Sequence, residues 1–187
     1  QSFSPLFIKN DEPFVRCDTC RLMLINPRPT LGQVQETYDS NYSEHYIKKA
    51  DKKFKRCTKW VRRVQRKFTR EGRWLDVGCS AGFVVAAAQK AGFDAYGVEI
   101  EPDAVKYATD VLNLANVVSG VLENQDYPDA FFDVVSMYDV IEHVPELNRV
   151  VGELKRILAP GGVIEIRTPD VGHWSTPKDL SSWKEVK

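Results

Sequence analysis

The chain has 187 residues, and its 26 Lys and Arg balance its 26 Asp and Glu, so the formal net charge is zero. This length suits one domain with an ordinary core, and a hydrophobic content of 43% is typical of globular proteins. No apolar run approaches the roughly 20 residues that span a bilayer. Four cysteines do not indicate a disulfide framework, so we expect a reducing, cytoplasmic setting.

Residues 1–30 contain a Cys-x-x-Cys pair, Cys17 and Cys20. Such a pair at a tight turn supplies half of a four-ligand structural zinc site. The other two cysteines lie in later predicted elements. We therefore favour a partial hairpin with two reduced thiols, and expect zinc only if a second cysteine pair precedes residue 1.

Residues 31–47 are predicted to form a short helix that opens at Thr30. Tyr38, Tyr42 and Tyr46 recur every four residues and so share one face. The favoured interpretation is an aromatic stripe packed on the domain. The alternative is a lid in which Tyr42 and Tyr46 reach a ligand.

Residues 48–72 are predicted to form a long basic helix, because 13 of the 26 Lys and Arg lie between Lys48 and Arg73. Its apolar positions step by three and four, which indicates one buried face: Phe54, Cys57, Val61, Val64 and Phe68. The basic face is interpreted as solvated; the alternative is attraction of an anionic partner such as a nucleotide-sugar, a lipid phosphate or RNA. Trp60 alone is too little aromatic surface for base stacking.

From Arg73 onward, strand and helix patterns alternate, which predicts a parallel sheet. The predicted strands are 74–78, 94–99, 116–119, 132–137 and 162–167. The predicted helices are 82–91, 102–112, 146–158 and a short one near 122–126. The tail, 171–187, is predicted to be loop.

A glycine turn follows the first of these strands. Leu75–Val77 ends the strand, Gly78–Gly82 turns, and a helix begins at Phe83. Glycine lets a ligand approach the backbone, and the helix N-terminus offers free N–H groups. Glu99 ends the next strand, 17 residues after Gly82, close to the spacing at which an acid meets ribose hydroxyls.

The turn does not match either phosphate-binding motif. Ser80 stands where a dinucleotide-binding turn has its middle glycine, and no Gly-Lys-Ser/Thr follows for a P-loop. The sequence therefore predicts a nucleoside ligand without phosphates.

Four segments, in the same order and spacing, resemble the motifs of class I S-adenosylmethionine-dependent methyltransferases: 75–82, 98–100, 131–144 and 154–170. The resemblance covers about 73–170. It implies an α/β fold, a Rossmann-like three-layer sandwich with a mainly parallel sheet of order 3-2-1-4-5, and S-adenosylmethionine as cofactor.

Two terminal segments are interpreted through the same resemblance. Residues 1–30 are similar to part of the small zinc ribbon that precedes some of these domains, including several that act on sugars. Residues 31–72 would be a helical lid and the basic helix. The family's closing sixth–seventh strand hairpin would not fit in 171–187, so we expect a chain trimmed at both ends.

The resemblance implies roles for particular residues. Asp76 would hold the methionine end of the cofactor, Glu99 the ribose hydroxyls and Ile100 the adenine. The implied cofactor-binding residues are Asp76, Gly78, Cys79, Ser80, Gly82, Phe83, Glu99, Ile100, Leu122, Met137 and Tyr138. Relatives carry an Asp where this chain has Val121, so adenine recognition would fall to Glu123, Asn124 or the backbone.

The candidate catalytic residues are His143, Asp139 and Tyr138. An oxygen or acidic carbon acceptor needs a base, and the pKa range of histidine makes His143 the best choice. Glu142 and His143 are predicted at a helix N-terminus, where the carboxylate could instead cap the helix. Asp139-x-x-Glu142-His143 also resembles a metal-binding Glu-x-x-Glu-His.

The leading hypothesis is a methyltransferase acting on a small molecule, such as a sugar or glycan precursor. One alternative is an RNA-directed enzyme that uses the basic residues 48–73, although the Asn/Asp-Pro-Pro-Tyr used on base amino groups is missing. A catalytically degenerate cofactor-binding module is another, and a dehydrogenase is the most distant. Oligomeric state is not predicted.

Overall fold

The protein is described by a computed structural model that covers residues 2–36 and 48–183. Most of the predicted helix 31–47, with Tyr42 and Tyr46, lies outside these residues. The described helices are α1 (Leu31–Glu36), α2 (Ala50–Lys67), α3 (Phe83–Lys90), α4 (Pro102–Asp110) and α5 (Leu147–Ile157). None of the described helices is both long and apolar enough to cross a membrane.

The N-terminal segment is a three-stranded antiparallel sheet, in the order β1 (Phe3–Lys9), β2 (Glu12–Cys17), β3 (Met23–Ile25). Asn10 and Asp11 join the first two strands with positive φ angles of 52° and 61°, which is the two-residue turn that matches strand twist. The partial hairpin predicted for 1–30 is thus a larger sheet. Cys17 is buried at its end, whereas Cys20 is exposed.

The second sheet has five strands: β4 (Arg73–Val77), β5 (Asp94–Glu99), β6 (Val117–Ser119), β7 (Phe132–Tyr138) and β8 (Leu158–Arg167). They lie in the order β6-β5-β4-β7-β8, and every neighbouring pair is parallel. Counted from β4, this is the order 3-2-1-4-5, so the predicted α/β fold and sheet order are confirmed.

Helices cover both faces of this sheet. Trp74 and Leu75 are adjacent in β4 and so point to opposite faces. Trp74 packs with buried residues of α2, α3 and α4, whereas Leu75 packs with buried residues of α5. On α2 the buried positions step by four and three: Cys57, Val61 and Val64. The molecule therefore has the predicted three layers.

Several predicted boundaries were wrong. The basic helix ends at Lys67 instead of residue 72, and the helix near 122–126 is a single 3-10 turn, Leu122–Asn124. The last strand begins at Leu158 instead of residue 162. Its register shifts between Phe132 and Val134 of β7, which leaves Pro160-Gly-Gly162 inside an irregular strand.

Gly97 lies at the middle of β5 and brings the sheet close to the chain that follows β4. A Cβ at this position would lie 2.7 Å from Cys79 Sγ and 2.9 Å from Val85 Cγ2. Both neighbours are buried, so neither can move away cheaply. Because Gly97 has no side chain, the connection between β4 and α3 can pack against the sheet.

We predict that Gly97→Ala lowers the free energy of unfolding by about 1–3 kcal/mol, because the added methyl overpacks this contact. Gly152, inside α5, is the matched control, since a Cβ there has no neighbour within 4 Å. Gly152→Ala should raise stability by about 0.5–1 kcal/mol through helix propensity. Equal effects of the two substitutions in urea denaturation would refute this packing.

Candidate functional site

The chain bends sharply between β4 and α3. Gly78, Ser80 and Gly82 have positive φ angles of 68°, 48° and 78°. The N–H groups of Gly78 and Cys79 both donate to the Val98 carbonyl, at 2.8 and 3.1 Å. These bonds hold the bend against the carboxyl end of β5, the edge of an open parallel sheet where ligands bind.

The two glycines of the bend have different surroundings. A Cβ on Gly78 would clash with the Val140 side chain. A Cβ on Gly82 would lie 2.7 Å from Leu114 Cδ1 and 2.9 Å from Ala108 Cβ, so this glycine lets α3 and α4 pack together. Gly78 lines the cavity described below; Gly82 does not.

Glu99 ends β5, and its carboxylate turns back into the bend. Oε2 accepts from the Ser80 N–H at 2.7 Å, and Oε1 accepts from the N–H groups of Ile100 and Glu101 at 2.7 and 3.0 Å. Burial raises the pKa of this carboxyl, and the backbone donors oppose that shift. A carboxylate has about four acceptor positions, so part of its capacity stays available to a ligand.

Asp76 is a second buried acid at the same edge. Trp74 Nε1 donates to Ser136 Oγ at 2.8 Å, and Ser136 Oγ donates to Asp76 Oδ1 at 2.6 Å. Burial raises the pKa of Asp76 to about 7; the Ser136 hydroxyl opposes this shift, and the Glu99 carboxylate adds to it. This carboxyl therefore titrates near neutral pH.

Asp76 and Glu99 open into one cavity of about 410 Å³, a volume in the range of small-molecule sites. The predicted site residues that line it are Asp76, Gly78, Cys79, Ser80, Phe83, Glu99, Ile100, Leu122, Met137, Tyr138, Asp139 and His143. Cys17 and Cys20 do not line it. Tyr42 and Tyr46 lie outside the described residues.

Two polar atoms at this cavity lack partners. Ser80 Oγ and Tyr138 Oη are buried, and neither forms a hydrogen bond within the described residues. Leaving a buried hydroxyl unsatisfied costs about 1–3 kcal/mol. Both residues line the cavity.

The three catalytic candidates have different surroundings. Asp139 forms an ion pair with Arg167, and its N–H donates to the Arg167 carbonyl at 2.8 Å. Burial raises the pKa of Tyr138 well above its ordinary value, with the Asp76 carboxylate adding to the shift, so its hydroxyl stays a proton donor. His143 is exposed on the cavity wall.

The predicted location of Glu142 and His143 at a helix N-terminus was wrong. Both lie in a separate 3-10 turn, Ile141–His143, and α5 begins at Leu147. Within the described residues, no three His, Cys, Asp or Glu side chains converge to hold a metal ion. The resemblance of Asp139-x-x-Glu142-His143 to a metal motif is therefore not matched by the geometry, and zinc at Cys17 and Cys20 stays a prediction.

Cavity residues that the sequence analysis did not select include Arg56, Trp60, Arg149 and Arg167. Trp60 is half-buried, and its ring centroid lies 4.7 Å from that of Tyr138. The sequence feature that could have predicted this cavity wall is a tryptophan beside charged residues on an amphipathic helix.

Comparison with known proteins supports the resemblance to methyltransferases. The family model described as a methyltransferase domain matches residues 46–185. A ubiquinone biosynthesis O-methyltransferase of Methylococcus capsulatus is 30% identical over 99 residues, which cover 50% of this chain and 42% of that protein. A norajmaline N-methyltransferase of Rauvolfia serpentina is 34% identical over 99 residues, which cover 49% and 34%. The chain spans less than half the length of either relative.

The fold also has solved counterparts. A candidate S-adenosyl-L-methionine-dependent methyltransferase of Methanococcus maripaludis superposes with a TM-score of 0.63 at 18% identity, and the match covers 70% of this chain and 64% of that one. At this identity the likeness shows a shared fold. Because the family model spans most of the sequence and the sheet order agrees, the chain belongs to the class I S-adenosylmethionine-dependent methyltransferase family.

Proposed function

We propose that this protein binds S-adenosylmethionine in the cavity and transfers its methyl group to a small-molecule acceptor. The single observation that carries the proposal is the Glu99 carboxylate, which faces the Gly78–Gly82 bend and bonds to the Ser80 N–H at 2.7 Å. The bend also lies where the strand order reverses, between β4 and β7, the usual ligand position in such sheets.

The charge and polarity of the cavity suit this ligand. Two buried acids, Asp76 and Glu99, would repel a phosphate and favour a cation. S-adenosylmethionine is a phosphate-free nucleoside with a sulfonium and an ammonium group.

In this proposal, residues at the ends of the strands bind different parts of the cofactor. Asp76 holds the ammonium group. Glu99 accepts hydrogen bonds from the ribose hydroxyls at the acceptor positions that its three backbone N–H donors leave unused. Ile100 and Leu122 form apolar walls for the adenine. The ribose and adenine roles rest on the motif resemblance and on this placement.

The bound cofactor supplies a methyl group activated by its sulfonium, so the protein has mainly to align donor and acceptor. Leu31 of α1 lines the cavity, and its apolar side chain helps to exclude water. His143 takes the proton that the acceptor loses, because Asp139 is engaged with Arg167. Tyr138 stays protonated and donates a hydrogen bond.

The acceptor is proposed as a small molecule because the relatives are named for ubiquinone biosynthesis and for norajmaline. One is an O-methyltransferase and the other an N-methyltransferase, so both acceptor atoms stay open. The predicted sugar or glycan acceptor has no counterpart in these names and remains a hypothesis. The RNA-directed alternative is not favoured by these relatives.

We predict that Glu99→Gln weakens S-adenosylmethionine binding at least about tenfold. The reason is that the glutamine amide has one neutral acceptor oxygen, whereas the glutamate carboxylate has two charged ones. Isothermal titration calorimetry of the full chain measures this. Glu71→Gln is the control, since Glu71 is exposed and does not line the cavity. Saturable binding by the unaltered protein that Glu99→Gln leaves unchanged would remove Glu99 from the site.

We also predict that cofactor binding weakens as the pH falls from 8 to 6. The pKa of Asp76 is about 7 in the free protein, and only the ionised carboxylate attracts an ammonium group. Below that pKa, affinity should approach a loss of about tenfold per pH unit. Asp76→Asn should bind weakly with a flat profile over this range. An unaltered protein whose affinity does not change with pH would exclude Asp76 as the ammonium partner.

A further inference from the structure

The outward face of α2 carries a continuous row of cations. Five exposed Lys and Arg recur at steps of three and four residues, which places them on one side of the helix. They are Lys52, Lys55, Lys59, Arg62 and Arg66, here called the basic stripe. At a rise of about 1.5 Å per residue, the stripe is about 21 Å long.

The basic stripe lies on the side of α2 that faces away from the domain. The buried residues of the helix, Cys57, Val61 and Val64, follow the same spacing on the opposite side, and they pack with buried residues of α3 and the sheet. None of the stripe residues lines the cavity. The stripe is therefore a surface separate from the site described above.

Acidic side chains do not neutralise the stripe. Asp51, in the first turn, is the one acid in the sequence of α2. Within residues 2–36 and 48–183, no stripe residue forms an ion pair, whereas Arg63 on the same helix pairs with Glu165. Like charges three and four residues apart repel each other along a helix, and an anionic partner would offset that repulsion.

The distribution of charge over the whole chain favours a planar anionic partner. The formal net charge is zero, and the residues outside 48–73 hold 13 Lys and Arg against 24 Asp and Glu. Domains that bind nucleic acid are usually basic overall, and an acidic remainder repels a polyanion that reaches round the protein. A bilayer surface contacts one side of a protein only, so it can meet the stripe without meeting the acids elsewhere.

The aromatic residues of this region point to the same partner. The stripe contains no aromatic side chain on which bases could stack, and Trp60 is half-buried against Tyr138. Phe68, directly after α2, is 54% exposed, and Lys67 Nζ lies 5.3 Å from the centroid of its ring. An exposed apolar ring beside cations is typical of helices that lie on a membrane surface.

We propose that the basic stripe of α2 is a docking surface for a bilayer that contains anionic phospholipids. Clusters of Lys and Arg on an amphipathic helix are attracted to the negative potential of such a surface. The apolar face of α2 stays in the protein core, so the contact is electrostatic and peripheral. The inference does not depend on the proposed function, since no stripe residue takes part in it.

Docking through the stripe has a consequence for the cavity. Arg56 and Trp60, which line the cavity, directly follow the stripe residues Lys55 and Lys59. Successive residues of a helix are turned by about 100° around its axis, so the cavity wall lies beside the stripe on the same helix. A bilayer against the stripe is therefore next to one wall of the cavity.

The test is flotation of the full chain with vesicles of phosphatidylcholine that contain about 30% phosphatidylglycerol, and with vesicles of phosphatidylcholine alone. We expect binding to the anionic vesicles to be at least about tenfold tighter, because each Lys or Arg near the surface adds to the attraction. Raising the ionic strength from about 0.1 M to about 0.5 M should remove most of this binding.

The variant that tests the stripe combines Lys55→Gln, Lys59→Gln and Arg62→Gln. Its affinity for the anionic vesicles should fall at least about tenfold. The three side chains are exposed and glutamine is a good helix former, so the fold should be kept, which far-ultraviolet circular dichroism checks.

The matched control removes the same charge elsewhere. Lys106→Gln, Lys155→Gln and Lys178→Gln replace three exposed lysines that lie outside α2 and form no ion pair in the described ranges. If the stripe is the docking surface, this control variant should bind the anionic vesicles nearly as well as the unaltered protein. An equal loss in the two variants would mean that net charge alone matters, and it would overturn the proposal.

Two further results would overturn it. One is a chain that floats with neither kind of vesicle, which would leave the stripe a solvated face. The other is a chain that binds a fluorescent oligouridylate in an anisotropy titration but does not float with the anionic vesicles, which would make the partner a nucleic acid. Because no measurement uses S-adenosylmethionine, failure here leaves the proposed function untouched.

Discussion

The hydrogen bond from the Ser80 N–H to the Glu99 carboxylate is the interaction on which the site depends. It joins the bend after β4 to the end of β5 at 2.7 Å, and two further backbone N–H groups keep the carboxylate in place. Burying this carboxylate is costly, and backbone donors offset much of that cost. Gly97 contributes by leaving room for Cys79 beneath the bend.

The buried carboxyl group of Asp76 lowers the stability of the fold near neutral pH in the absence of a ligand. Because burial raises the pKa of Asp76 to about 7, the folded chain holds a proton there that the unfolded chain releases at lower pH. Its contribution to stability therefore falls as the pH rises from the ordinary aspartate range to about 7. A bound cation would reverse this loss above pH 7, which is the behaviour expected of a binding site rather than a structural core.

Local patterns of apolar residues and glycine were sufficient to predict the parallel sheet and the acid at the end of β5, whereas the strand order was predicted only through the resemblance to class I methyltransferases. The sequence could not predict the wall formed by Arg56, Trp60 and Arg167, since these residues meet only through packing between α2 and β8. The part of α2 that lines the cavity is thus its edge at Arg56 and Trp60, whereas the sequence analysis considered its basic face only as a whole. The 3-10 turn at His143 was not predicted, because the sequence features that mark the start of an α-helix also occur in a single 3-10 turn.

The most direct test is a crystal structure of the full chain with S-adenosylhomocysteine. We expect the adenosine over the Gly78–Ser80 bend, with the ribose hydroxyls on the Glu99 carboxylate and the ammonium group of the ligand on Asp76. A nucleoside bound elsewhere, or a Glu99 carboxylate that contacts only backbone N–H groups while the ribose lies on other residues, would contradict the account.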